Sequence, residues 1–123
     1  MRYLTDEEWQ IASRFLFLSL ALQVIKRDIQ QLERQSPFKI TEPYIELLLR
    51  IEKQATKESH LLRKEMLKEK ITITIINRED TFTTYLFRCK GKEEKRNYFN
   101  PAIRKKVENI LHELFQTVKQ ECS

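Results

Sequence analysis

Residues 71–99 read ITITIINREDTFTTYLFRCKGKEEKRNYF, and this stretch decides the fold. Ile71-Thr72-Ile73-Thr74-Ile75 alternates strictly and is β-branched throughout, the composition of a strand. Asn77-Arg78-Glu79-Asp80 is a turn. Residues 81–89 form a second strand, with Tyr85 and Phe87 on one face and Phe82, Thr84 and Leu86 on the other. Lys90-Gly91-Lys92-Glu93 is a second turn and holds the only glycine, at a position that calls for positive φ. Residues 94–99 supply a third strand, so the stretch is a two- or three-stranded antiparallel β-meander.

Upstream the period is helical. Thr5-Asp6-Glu7-Glu8 is a capping box, with a helix running from it to about Arg34. Ile11, Phe15, Leu18, Leu22, Ile25, Ile29 and Leu32 recur at steps of four and three, a heptad stripe. Phe17, Leu20, Ala21 and Val24 add a second apolar face, so this helix is expected to be covered on two sides and to form the core element. Ser36-Pro37 ends it, and Thr41-Glu42-Pro43 opens a second helix. Tyr44, Leu48, Ile51 and Ala55 form its stripe, widened by Ile45, Leu47 and Leu49. The pattern weakens over 56–60 and resumes at Leu61, Leu62, Met66 and Leu67, so the helix either runs to about Glu69 or breaks near Ser59. The short link makes the pair an antiparallel hairpin.

Downstream of the meander, Asn100-Pro101 reads as an N-cap followed by an N1 proline. Ile103, Val107, Ile110, Leu111, Leu114, Phe115 and Val118 then make an amphipathic helix to about Val118. The expectation is one α+β domain over 1–123: a long N-terminal helical hairpin, a β-meander and a C-terminal amphipathic helix. Trp9, Tyr44 and Phe82 fall at stripe or strand positions and are expected in the core.

Composition narrows the chemistry. A chain of 123 residues is long enough for one domain. Its single glycine cannot supply a dinucleotide fingerprint or a Walker-type loop, whose backbones approach phosphate without a Cβ in the way. The longest apolar run, 15–25, is too short to span a membrane, and the acidic residues before it do not suit an export signal. A cytoplasmic protein with reduced Cys89 and Cys122 is the expectation.

The charge is uneven. Residues 88–106 hold eight cations against two acids, a local +6 in a chain whose formal total is +5. Arg88, Lys90, Lys92, Lys95, Arg96, Arg104, Lys105 and Lys106, with Tyr98 as a stacking ring, are candidate nucleic-acid contacts. Helices followed by a β-hairpin resemble the order of a winged-helix domain, though these first helices are long for one and no recognition helix stands out. The plainer alternative is a solvated hairpin whose lysines block edge-to-edge association.

Asp80 followed by Glu93-Glu94-Lys95 has the outline of a metal-dependent nuclease signature. Both acids fall at turns at opposite ends of one strand, which should hold them far apart. His60 and His112 have no zinc-like spacing to other ligands, and no glycine-framed serine is present. No metal, cofactor or catalytic residue is assigned. The expected function is that of a small non-enzymatic binding protein, with nucleic acid as the first candidate partner. The alternative is a protein-interaction or homodimerisation module built on the long helices, and a small nuclease is a distant third.

Overall fold

The computed structural model describes residues 3–122, with side chains described through residue 120. Its order is α1 (Asp6–Arg34), α2 (Glu42–Glu69), β1 (Ile71–Arg78), β2 (Phe82–Cys89), β3 (Lys92–Phe99) and α3 (Asn100–Cys122), an α+β arrangement. The capping box is present at both of its bonds. The Glu8 N–H donates to Thr5 Oγ1 at 3.2 Å, and the Thr5 N–H donates to Glu8 Oε1 at 2.9 Å.

α1 is the central element, and Ala12, Leu18 and Ala21 are fully buried along it. α2 packs along it, and the sheet and α3 cover its other sides. α2 is continuous through Ser59. The stretch that lost its apolar stripe holds polar contacts instead. Arg14 of α1 donates to both oxygens of Glu58 in α2, at 2.7 and 3.1 Å, and to Glu113 of α3 at 2.8 Å. One guanidinium thus ties three helices together. Lys70, in the left-handed region at φ 56°, ends α2 and turns the chain into β1.

The sheet has the order β1-β2-β3, all antiparallel. β3 begins at Lys92, two residues before the expected start, because the connection is a two-residue turn. Lys90 and Gly91 both have positive φ, at 51° and 81°, which matches the right-handed strand twist and leaves Cys89 paired with Lys92. β1 runs to Arg78, past the expected end at Ile75, because a bulge at Ile76 lets pairing resume at Asn77.

Pairing fixes the faces. Tyr85, Phe87 and Cys89 point at the helices, where Trp9 packs its edge on Phe87 at 4.8 Å and Phe17 on Tyr98 at 5.4 Å between ring centroids. Each fully buried side chain of the size of Phe87 contributes roughly 1.5–3 kcal/mol through the apolar surface it removes from water. Leu86 is buried on the opposite face, outside the main core cluster.

Three expectations are corrected. Tyr44 and Phe82 are exposed, and each packs on a neighbouring ring: Phe38 at 4.7 Å and Phe99 at 5.6 Å. Asn100 lies in the first turn of α3, but its side chain turns away from the helix. Its Nδ2 donates to the carbonyls of Glu79 and Asp80, each at 2.9 Å, and its Oδ1 accepts from Thr83 Oγ1 at 2.7 Å. Asn100 therefore pins the β1–β2 turn to α3. The side chain of Cys122 lies outside the described residues.

Candidate functional site

The basic hairpin does not present its cations on one face. Strand alternation places Lys92, Glu94, Arg96 and Tyr98 on the pleat facing the helices, and Glu93, Lys95, Asn97 and Phe99 on the other. Lys92 reaches into the α1 N-terminus and binds Glu8. Arg96 lies over the Trp9 ring, 4.3 Å from its centroid, and pairs with the buried Glu94 at 2.6 Å. Tyr98 is half-buried against Phe17 and Tyr85, and burial pushes its pKa up to about 12.

The remaining cations are similarly engaged. Lys90 pairs with Glu69 at 2.7 Å, Arg88 with Glu93 at 3.1 Å and Lys105 with Glu108 at 3.8 Å. The Lys106 ammonium lies 5.4 Å from the centroid of the Phe17 ring. Of the eight cations, only Lys95 and Arg104 lack an ion pair, hydrogen bond or ring contact among the described residues.

The β2–β3 turn is held to α1 by an electrostatic clasp. Glu8 is buried at the start of α1, where its carboxylate accepts from Lys92 and from the Thr5 N–H, with Lys90 4.0 Å away. The Lys92 bond is the largest cause that holds its pKa down, from the ordinary 4.5 to about 2. The Cys89 thiol beside it donates to the Glu69 carbonyl at 3.2 Å. Burial, reinforced by the Glu8 charge, pushes that thiol's pKa up. This is the environment of a structural thiol, opposite to the electropositive setting that activates a nucleophile.

Asp80 and Glu93 are held apart. Asp80 follows β1 in the turn before β2, whereas Glu93 pairs with Arg88 at the far end of β2. Six residues of strand separate those ends, roughly 20 Å. Glu94 faces the helices and is taken by Arg96. Among the described residues no group of three His, Cys, Asp or Glu could hold a metal ion, and His60 and His112 are both exposed.

Sequence reading missed a cleft. It lies between α1, α3 and the β1–β2 hairpin and has a volume of about 900 Å³. Leu20 and Val24 of α1 face Ile103, Val107 and Leu111 of α3 across it, and Tyr85 lies at its floor. Arg27, Arg78 and Arg104 come from three elements to line it, beside Glu79, Asp80 and Glu108. Only the i, i+4 spacing of the apolar wall residues was visible in advance, and that signal is shared with ordinary core packing. Arg104 is the one residue that belongs both to the expected basic patch and to this cleft.

A long helical hairpin, a three-stranded antiparallel sheet and a C-terminal helix make up a small α+β protein, with this cleft between α1, α3 and the β1–β2 hairpin. No described helix is long and apolar enough to cross a membrane. The chain belongs to the YhjD protein family, whose model matches residues 3–119. It is similar to the uncharacterized protein YhjD of Bacillus subtilis (strain 168), with 38% identity over 111 residues, covering 90% of this chain and 92% of that protein. No solved structure matches it.

Proposed function

We propose that this protein is a non-enzymatic interaction module that self-associates through the free edge of β1. The observation that carries the reading is the opposite treatment of the two sheet edges. β3 is guarded by five consecutive charged residues, Lys92 to Arg96. β1 has no charged side chain until Arg78, at its end. β1 is also largely uncovered, and Ile75 and Ile76 are 45% and 44% exposed. Uncharged, β-branched edges invite a further strand, whereas natural sheets normally protect such edges with lysine, proline or a bulge. The bulge at Ile76 confines the usable edge to residues 71–75.

Antiparallel pairing of two copies about a two-fold axis places Ile and Thr opposite Ile and Thr, with no like charges facing. Leu18, Leu22, Ile25 and Ile29 of the α1 heptad stripe pack within the chain, which favours the sheet edge over the long helices as the surface for self-association. The nucleic-acid reading rests on fewer free cations than the local charge suggested, because six of the eight are already engaged. The buried free thiol of Cys89 suits a cytoplasmic setting.

Sedimentation equilibrium from about 1 to about 100 μM tests the reading, over a range that spans ordinary homodimer affinities. Wild type should self-associate and Ile75→Lys should be monomeric with an unchanged fold. A monomeric wild type, or association that survives Ile75→Lys, refutes the edge. Dissociation by Leu47→Glu alone would move the interface to the exposed face of α2, where Tyr44 and Leu47 lie. A salt-sensitive shift of DNA or RNA that is lost in Lys95→Glu/Arg104→Glu would restore nucleic acid as the partner.

A further inference from the structure

The α1–α3 cleft has three features that the fold alone does not require. Tyr85 is 3% exposed, yet its hydroxyl forms no hydrogen bond with any described residue. No fully enclosed polar side-chain atom lacks a partner, so this hydroxyl is reached from the cleft that Tyr85 lines. Burial raises its pKa and the nearby Arg78 charge opposes the rise, so at neutral pH it remains an O–H donor. Facing the cleft with no protein partner, it is a donor that a ligand held there can meet.

The second feature is a set of unspent cations. Arg27 from α1, Arg78 from the end of β1 and Arg104 from α3 line one opening. None of the three forms an ion pair or hydrogen bond among the described residues. Three carboxylates share the lining, but two have other partners: Glu79 accepts from Asn77 Nδ2 at 2.9 Å and Glu108 pairs with Lys105. Asp80 is the one carboxylate there without a side-chain partner. The Asn77 amide leaves the Glu79 charge in place, so three guanidiniums without an ion pair face two carboxylates, Glu79 and Asp80, that no cation pairs among the described residues.

The third is the start of α3. Its first turn has no acidic residue, and Arg104, Lys105 and Lys106 follow directly. Cations at the positive end of a helix are unfavourable, whereas an anion there is favoured by both the dipole and the cations. Below the arginines the walls are apolar, and the volume of about 900 Å³ lies within the range of small-molecule sites.

We propose that this cleft binds an amphipathic anion, an apolar chain or ring bearing a carboxylate or phosphate head. The tail lies between the Leu20–Val24 and Ile103–Val107–Leu111 walls. The head meets Arg27, Arg78 and Arg104, and the Tyr85 hydroxyl donates to it or to its linking oxygen. This goes beyond the β1-edge reading and uses a different surface, so either can fail alone.

The test uses the full chain and four eight-carbon probes: octanoate, octyl phosphate, 1-octanol and octyltrimethylammonium. Binding is followed by calorimetry and by amide shifts in ¹⁵N spectra. At least one anion should bind, with shifts centred on Tyr85, Arg104 and Val107, and the preferred anion identifies the head group. The alcohol and the cation should bind at least about tenfold more weakly, and Arg27→Gln and Arg104→Gln should each weaken the anion by roughly tenfold. Leu111→Trp, at a half-buried wall position, should block binding while leaving the amide pattern elsewhere intact. Equal binding of the cation, unchanged affinity in both arginine variants, shifts centred outside the cleft, or no binding of either anion overturns the proposal. Sedimentation of the same arginine variants keeps the outcomes separate, since the β1 edge should associate as in wild type.

Discussion

The Glu8 clasp is the sharpest point at which sequence, packing and acid–base behaviour can be tested together. Replacing Glu8 by Gln keeps a carbonyl oxygen for the Thr5 N–H and removes the charge that Lys92 and Lys90 answer. In the folded protein the carboxyl titrates at about 2 instead of its ordinary 4.5. A folded-state pKa below the unfolded one means stability that is full above pH 4.5 and is lost as pH falls toward 2. At 1.36 kcal/mol per pH unit, the shift is worth on the order of 3 kcal/mol near pH 7 and about 1 kcal/mol near pH 3. Urea unfolding of wild type and Glu8→Gln at those two pH values, followed by far-UV circular dichroism, measures both limbs. The variant should be less stable by about 2–3 kcal/mol at the higher pH, and the gap should shrink by more than half at the lower one. A gap below about 0.5 kcal/mol near pH 7, typical of an exposed pair, would refute the claim that this carboxylate holds the hairpin to α1. A gap that does not change with pH would show that the loss came from capping geometry and not from charge.

Two further outcomes follow from the same geometry. Arg14→Ala should cost about 1–2 kcal/mol, because it unties α1 from both α2 and α3, and a double-mutant cycle with Glu58→Gln should return a coupling of about 1 kcal/mol. A coupling indistinguishable from zero would reduce this contact to an ordinary surface pair. In a Cys122→Ser background, the Cys89 thiol should react with a disulfide reagent at least about tenfold more slowly folded than unfolded, since burial raises its pKa and hides it. Equal rates in the two states would mean that the sheet opens at Cys89 far more readily than its packing implies.

Much of the fold was legible in the chain. The capping box at Thr5 and Glu8, the β-branched alternation from Ile71 and the lone Gly91 are local signals, and each acts within a few residues of itself. They depend on hydrogen bonds and backbone sterics that the neighbouring sequence suffices to specify. The continuity of α2 was not legible. Its polar stretch is held by Arg14, 44 residues away from Glu58 in the chain, and no periodicity reports such a partner.

The candidate site divides in the same way. Sequence alone established how much positive charge lies between Arg88 and Lys106, and that one glycine is too few for a glycine-rich phosphate loop. Tertiary structure decided where that charge points. Strand pairing turned Lys92, Arg96 and Tyr98 toward the helices, and acids from distant elements, such as Glu8 and Glu69, then neutralised much of the patch. Tertiary structure also assembled the cleft, since Leu20, Arg78, Tyr85 and Arg104 become neighbours only when α1, the hairpin and α3 close on one another. The physical reason is range. Composition and local propensity act along the chain, whereas burial, ion pairing and cavity formation depend on which surfaces the folded chain brings within a few ångströms.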